Sequence, residues 1–172
     1  MSNTISYMLK ANVGQIVGSM SIWLGKAGDH AKSHEIPDEN FLAQRLYPDM
    51  FAMAQQVQTA CDMAARGGAR LAGVELPSFP DEEKTLSELA ERAAKTVAFV
   101  NRLDDGALDV DPDSNIVMTT PFGDRTFQKL QYMANFVVPN VTFHTSMAYA
   151  LLRKQGVPLG KLDLLAGGQA TG

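Results

Sequence analysis

Read for the spacing of its apolar positions, the chain divides into four long stretches of helical period, separated by polar connections. The first covers about residues 3–32, where Ile5, Leu9, Ile16, Met20, Trp23 and Ala27 recur as one stripe. A polar connection containing Pro37 follows, and DENFLAQRL predicts a short helical turn. The second helix is expected to begin beside YPDM, with Asp49 as N-cap directly before Met50, Met53, Ala54, Val57, Cys61, Ala64, Gly68 and Leu71. Its later part, ACDMAARGGARLAG, is rich in small side chains that admit a closely packed neighbour, and Gly73 is the expected stop. VELPSFPDEEK reads as a rigid loop. Thr85 and Glu88 then have capping-box spacing and open a third helix with Leu86, Leu89, Ala93, Val97, Val100 and Leu103 on its buried face. DDGALDVDPDSN ends that helix, and NIVMTTPFGDRTF reads as a short hairpin turning at PFGD.

The fourth helix, about residues 126–154 and stopped by QGVP, carries the anomaly of the sequence. Projected at roughly 100° per residue, Met133, Val137, Asn140, His144, Met147 and Leu151 fall on one stripe. Two polar side chains one turn apart therefore sit on a face that should be buried, where an unpartnered polar group is costly. Pro139 beside them removes the helical partner of the Asn135 carbonyl, so a kink or an opened turn is expected there. Helices so patterned argue for an all-α bundle, in which sites are built from inward-facing side chains of neighbouring helices.

Composition narrows the function classes. At 172 residues the chain makes one domain, residues 1–165, followed by AGGQATG as a flexible tail from residue 166 to 172. A net charge of −4 with scattered Lys and Arg argues against a nucleic-acid partner. No apolar run approaches the roughly 20 residues of a membrane span, and the N-terminus has no signal-peptide pattern. A single cysteine, Cys61, allows no internal disulfide, and cytoplasmic location is the expectation. Cys61 lies in an apolar stripe without a flanking cation, which predicts an inert core thiol. HAKSH pairs His30 with His34 at a spacing that can chelate zinc, but without a third ligand it reads as a solvated helix end. The methionines read as core filling. Gln55, Gln56 and Gln58 read as helix-surface residues unless that helix is covered on two sides, with Gln56 at the edge of the buried face. His144 is either a hydrogen-bonded core histidine or a metal ligand or general base in a pocket. Asn140 is a candidate partner for His144 or for the backbone freed by Pro139.

RLYPDMFAMAQQVQTACDMA, ARLAGVELPSF and PNVTFHTSMAYALLRKQGVPLGKLDLL resemble an uncharacterised bacterial family within the DinB/YfiT-like superfamily of metalloenzyme-like bundles. The resemblance spans about residues 5–165. It implies an up-down-down-up four-helix bundle with a small hairpin between the third and fourth helices, often as a homodimer. Typical superfamily members hold a divalent metal through three histidines, one on the second helix and two in an HxxxH on the last. Some are thiol-dependent transferases or isomerases. Here NVTFH places Asn140 at the first of those two positions and His144 at the second, while Gln56 falls at or near the second-helix position. Neutral amides bind zinc far more weakly than imidazole. The resemblance thus implies a pocket around His144, Asn140 and Gln56 that takes a small molecule, or a weakly held zinc or nickel ion with His144 as ligand, completed by Tyr47 or Asp49. Three functions are in view: a small-molecule binder, a metal-dependent hydrolase or thiol transferase, and a structural dimer whose polar pair only secures helix register.

Overall fold

The computed structural model describes residues 4–166, so the expected tail lies outside the described residues apart from Ala166. The elements in order are α1 (Thr4–Tyr7), a π segment (Met8–Val13), α2 (Gly14–Ser33), α3 (Glu39–Leu42), α4 (Met53–Ala72), α5 (Leu86–Arg102) and α6 (Asp105–Asp109). They continue with β1 (Asn115–Thr120), β2 (Gly123–Gln128), α7 (Lys129–Tyr132), a second π segment (Met133–Val137), α8 (Val138–Lys154) and α9 (Lys161–Ala166). The protein is mostly helical, with one antiparallel hairpin whose register pairs Asn115 with Gln128 and Thr120 with Gly123. Helix α2 packs along α5, α4 along both α8 and α5, and α9 folds back onto α2. No helix among the described residues is long and apolar enough to cross a membrane.

Local chemistry sets the helix ends. The Thr85 hydroxyl accepts from the Glu88 amide at 3.1 Å, and the Glu88 carboxylate accepts from the Thr85 amide at 3.0 Å, which closes the expected capping box. Helix α4 stops at Gly73, whose left-handed φ of 68° disfavours any residue with a Cβ. Its start differs from the sequence reading. Asp49 does not cap it; the helix begins at Met53, with Gln55 accepting from the Ala52 amide at 3.0 Å, and Asp49 lies exposed in the preceding turn. The segment before α4 is tied down instead by backbone bonds, among them Met53 N–H to the Gln44 carbonyl at 2.9 Å. The small residues of α4 do allow close approach: a Cβ on Gly67 would stand 2.8 Å from a Val137 methyl, and one on Gly68 2.8 Å from Leu103.

The two π segments explain where the helical projection went astray. Each adds one residue to a turn, since Gly14 N–H reaches back to the Leu9 carbonyl and Val138 N–H to that of Met133. In the first helix the buried stripe runs through Ile5, Leu9, Val13 and Val17, leaving Ile16 only half-buried. In the last it runs through Met133, Val137, Val141, Thr145, Ala148 and Leu152. In the first helix Met20, Trp23 and Ala27 are buried as expected, whereas in the last the expected core positions beyond the π turn move on by one residue, except that Leu151 is buried as well. Asn140, His144 and Met147 are therefore half-buried flank residues, not core.

Candidate functional site

The flank so created faces α4. Helix α4 is covered on two sides, by α8 and α5, so Gln56 and Gln58 are buried where an isolated amphipathic helix would expose them. Gln56 meets His144 across the α4–α8 seam: His144 Nδ1 lies 2.7 Å from Gln56 Oε1. The Gln56 amide nitrogen donates in turn to the Phe51 carbonyl at 3.2 Å. That bond fixes which way the amide points. An oxygen facing the imidazole can only accept, so Nδ1 carries the proton and the neutral ring keeps its lone pair at Nε2. Nε2 has no hydrogen-bond partner among the described residues. Burial pushes the His144 pKa below its ordinary value, which favours this neutral form at pH 7.

Two aromatic rings frame the imidazole. Phe51 stacks on it with centroids 6.0 Å apart and planes at 18°, and Phe143 meets it edge-on at 5.1 Å. Both phenyl rings are about half exposed, at 46% and 50%. Phe51 thus supplies both a ring against His144 and the carbonyl that orients Gln56. Sequence reasoning missed both rings; the signal for Phe51 was its place directly after YPDM, ahead of the helix that carries Gln56.

The remaining candidates stand apart. Asn140 turns to its own helix and donates from Nδ2 to the Phe136 carbonyl at 2.7 Å, which is neither the Asn135 carbonyl that Pro139 was expected to free nor the His144 ring. Tyr47 and Asp49 lie exposed on the turn before Phe51, and neither side chain has a hydrogen bond or ion pair among the described residues. His30 and His34 stack on each other at 4.1 Å, and the His34 ring sits 2.9 Å from the His30 carbonyl at the end of α2. Cys61 is fully buried, and burial drives its pKa up to about 12 despite a lowering contribution from Thr96, so the thiol stays protonated.

These residues do not fit a resident divalent ion. The Gln56 oxygen is committed to the imidazole, Asn140 is turned to Phe136, and no group of three His, Cys, Asp or Glu side chains able to hold a metal occurs among the described residues. His144 Nε2 alone supplies one nitrogen donor, where stable zinc centres use three or four protein ligands.

A second polar cluster on the far side of α4 is built differently. Arg92 of α5, with its side chain 2% exposed, reaches Asp62 at 2.8 Å, Asp81 at 2.9 Å and Glu83 at 2.9 Å, and donates to the Pro80 carbonyl at 3.1 Å. Glu83 also accepts from Gln58 at 2.9 Å. Burial pushes the Glu83 carboxyl up, but the bonds from Gln58 and Arg92 outweigh it and hold the carboxyl below its ordinary value. This cluster ties the long loop 73–85 to α4 and α5.

With this geometry in view, comparison with known proteins places the chain. A family model described as Domain of unknown function (DUF1993) matches residues 9–165. The chain belongs to the DUF1993 family. It is also similar to a DinB family member protein from Shewanella denitrificans, seen in a crystal structure at 1.83 Å resolution. The two share 27% identity over 98% of this chain and 94% of that one, with a TM-score of 0.87. No curated protein matches the chain. This DUF1993 protein therefore has a DinB-like fold, as the sequence motifs implied, while neither match carries an activity.

Proposed function

We propose that this protein binds a small molecule at the α4–α8 seam, with His144 Nε2 accepting a hydrogen bond from the ligand. One observation carries the reading: the chain of bonds from the Phe51 carbonyl through Gln56 to His144 Nδ1. Such a chain orients an imidazole and leaves one ring nitrogen free, and a group held this way is ready to meet a ligand without reorganisation. Phe51 and Phe143 offer half-exposed apolar faces for the rest of the ligand. Its complement is a small molecule with a polar N–H or O–H beside a flat apolar part. Asn140, Tyr47 and Asp49 are rim residues in this reading. The up-down-down-up helix order and the homodimer implied by the resemblance are carried with it, as is the cytoplasmic location expected from the single cysteine, and light scattering on the purified protein tests the dimer.

The alternative implied by the resemblance is a metal-dependent hydrolase or thiol transferase with zinc or nickel on His144, a reading for which the described residues bring no second ligand to the ring. One experiment separates them. Protein purified without chelator or His-tag is analysed for metals and then screened by NMR against a small-molecule library. Ligands whose binding is lost in His144→Ala, with no stoichiometric metal, support the binder. Stoichiometric zinc or nickel that disappears in His144→Ala replaces it with the metal reading. A doubly substituted Asn140→Leu, His144→Leu protein that is more stable and keeps all ligand binding leaves only the structural role.

A further inference from the structure

A cavity of about 300 Å3 lies about two to four turns beyond Gln56 along α4, between that helix, β1 and the second π segment. Its size is at the lower end of small-molecule sites. Arg66 and Arg70 stand one turn apart on α4 and both line it, as do Met63, Met118, Phe136 and Tyr132. Both arginines are half-buried, and neither forms an ion pair among the described residues. Arg70 has a single long contact, 3.4 Å to the Tyr132 hydroxyl, and Arg66 has no hydrogen-bond partner among the described residues. Elsewhere in the molecule the buried guanidinium, Arg92, is surrounded by carboxylates. The two half-buried arginines have a single carboxylate nearby, Asp62, which Arg92 already engages and which only Arg66 feels, so the pair carries more positive charge than the cavity wall offsets.

We propose that this cavity is a binding site for a small organic carboxylate, distinct from the His144 seam. Arg66 and Arg70 hold the carboxylate, with the Tyr132 hydroxyl beside it, and Met63, Met118 and Phe136 cover the hydrocarbon part. The choice of a monoanion follows from Asp62, which also lines the cavity and would repel a doubly charged phosphate, although Arg92 engages part of its charge. The apolar half of the lining needs a ligand with more than a bare anion, and thioether side chains adapt to varied hydrocarbon shapes. Tyr132 is itself buried and stacks on Phe136 at 5.3 Å, so one wall of the site is rigid. The π segment that carries Phe136 is the kind of helix irregularity that recurs at ligand sites.

The test uses full-length protein carrying methyl-labelled methionine, titrated with acetate, hexanoate, benzoate, benzamide and inorganic phosphate at constant ionic strength. Hexanoate or benzoate should shift the Met63 and Met118 methyl signals, with benzamide inert and phosphate and acetate at least about tenfold weaker. Arg66→Gln and Arg70→Gln should each weaken the carboxylate about tenfold or more while changing thermal stability little, since Arg70 has only the long contact to Tyr132 and Arg66 only a solvent-screened attraction to Asp62. His144→Ala should leave the titration unaltered, which keeps this site's outcome separate from that of the seam. Shifts absent with every carboxylate, equal for benzamide and benzoate, strongest for phosphate, or undiminished in both arginine variants would overturn the proposal.

Discussion

Helix α4 contributes to two polar clusters that differ in what they can do, Gln56 to one and Asp62 to the other. On one side Arg92 is engaged by three carboxylates and a backbone carbonyl, with only its Nε lacking a partner. On the other, His144 has one partner and a free ring nitrogen between two half-exposed phenyl rings. Burial is deeper at Arg92, yet the chemistry available to a ligand is greater at His144. A buried polar group whose bonding is nearly complete holds structure; one oriented by a single bond and left with a spare lone pair can hold something else.

The comparison can be broken at its structural end first. Arg92→Met leaves Glu83 and Asp62 without their cation and should cost about 3 kcal/mol in urea denaturation, the lower end for a broken buried pair because Asp81 is mostly solvated. A loss below about 1 kcal/mol would mean that loop 73–85 is held by something else. Acid titration sharpens the same point. The folded-state pKa of Glu83 is depressed, so its contribution is present above the ordinary carboxylate range and is lost as pH falls through the folded value. In Arg92→Met the stability curve should flatten in that acid window.

Next in size is Gly67→Ala, which pushes a methyl into Val137 on the π segment and should cost about 1–3 kcal/mol. Pairing it with Val137→Ala should recover part of that loss. If Gly67→Ala is neutral, the close α4–α8 approach that brings His144 to Gln56 is not what sets the seam.

The smallest effects belong to the seam. Gln56→Leu strands the His144 Nδ1 proton in a half-buried place and should cost about 1 kcal/mol. Nitrogen-15 NMR of histidine-labelled protein should show His144 as the Nδ1–H tautomer in the parent and a tautomer mixture in this variant. Because burial depresses the His144 pKa, its contribution is present above 6.5 and is lost as pH falls through the folded value. His144→Ala should therefore lose less stability than the parent between neutral pH and mildly acid conditions.

Much of this was legible in the residues. Thr85 and Glu88 announced a helix start because their side chains bond only to backbone within reach. The β-branched run at Ile116 and Val117 and the turn at Gly123, whose φ of 104° suits glycine, announced the hairpin. Asp49 was misjudged because a capping side chain is recognised by type, while the start of α4 was set by the Met53 N–H bond to the Gln44 carbonyl and by Gln55. Gln58 and Arg92 were illegible, since their partners Glu83, Asp62 and Asp81 come from other parts of the chain.

While the short helices Asp105–Asp109 and Lys161–Ala166 and the run of β2 to Gln128 were not read from it, the sequence by itself determined the four long helical segments, the helix start at Thr85 and the stop at Gly73, and that an imidazole follows a proline on the last of them. Those features depend on neighbours within a turn or two, and local sterics and hydrogen bonding decide them. Only the tertiary structure decided which way His144 points. The extra residue of the second π segment turns the later part of α8 by about one position, and the packing of α4 against α8 then delivers Gln56 to the ring. A helical projection assumes a uniform twist, and in the last helix the turn that departs from it moves Asn140 and His144 off the buried face, with Val141 and Thr145 in their place.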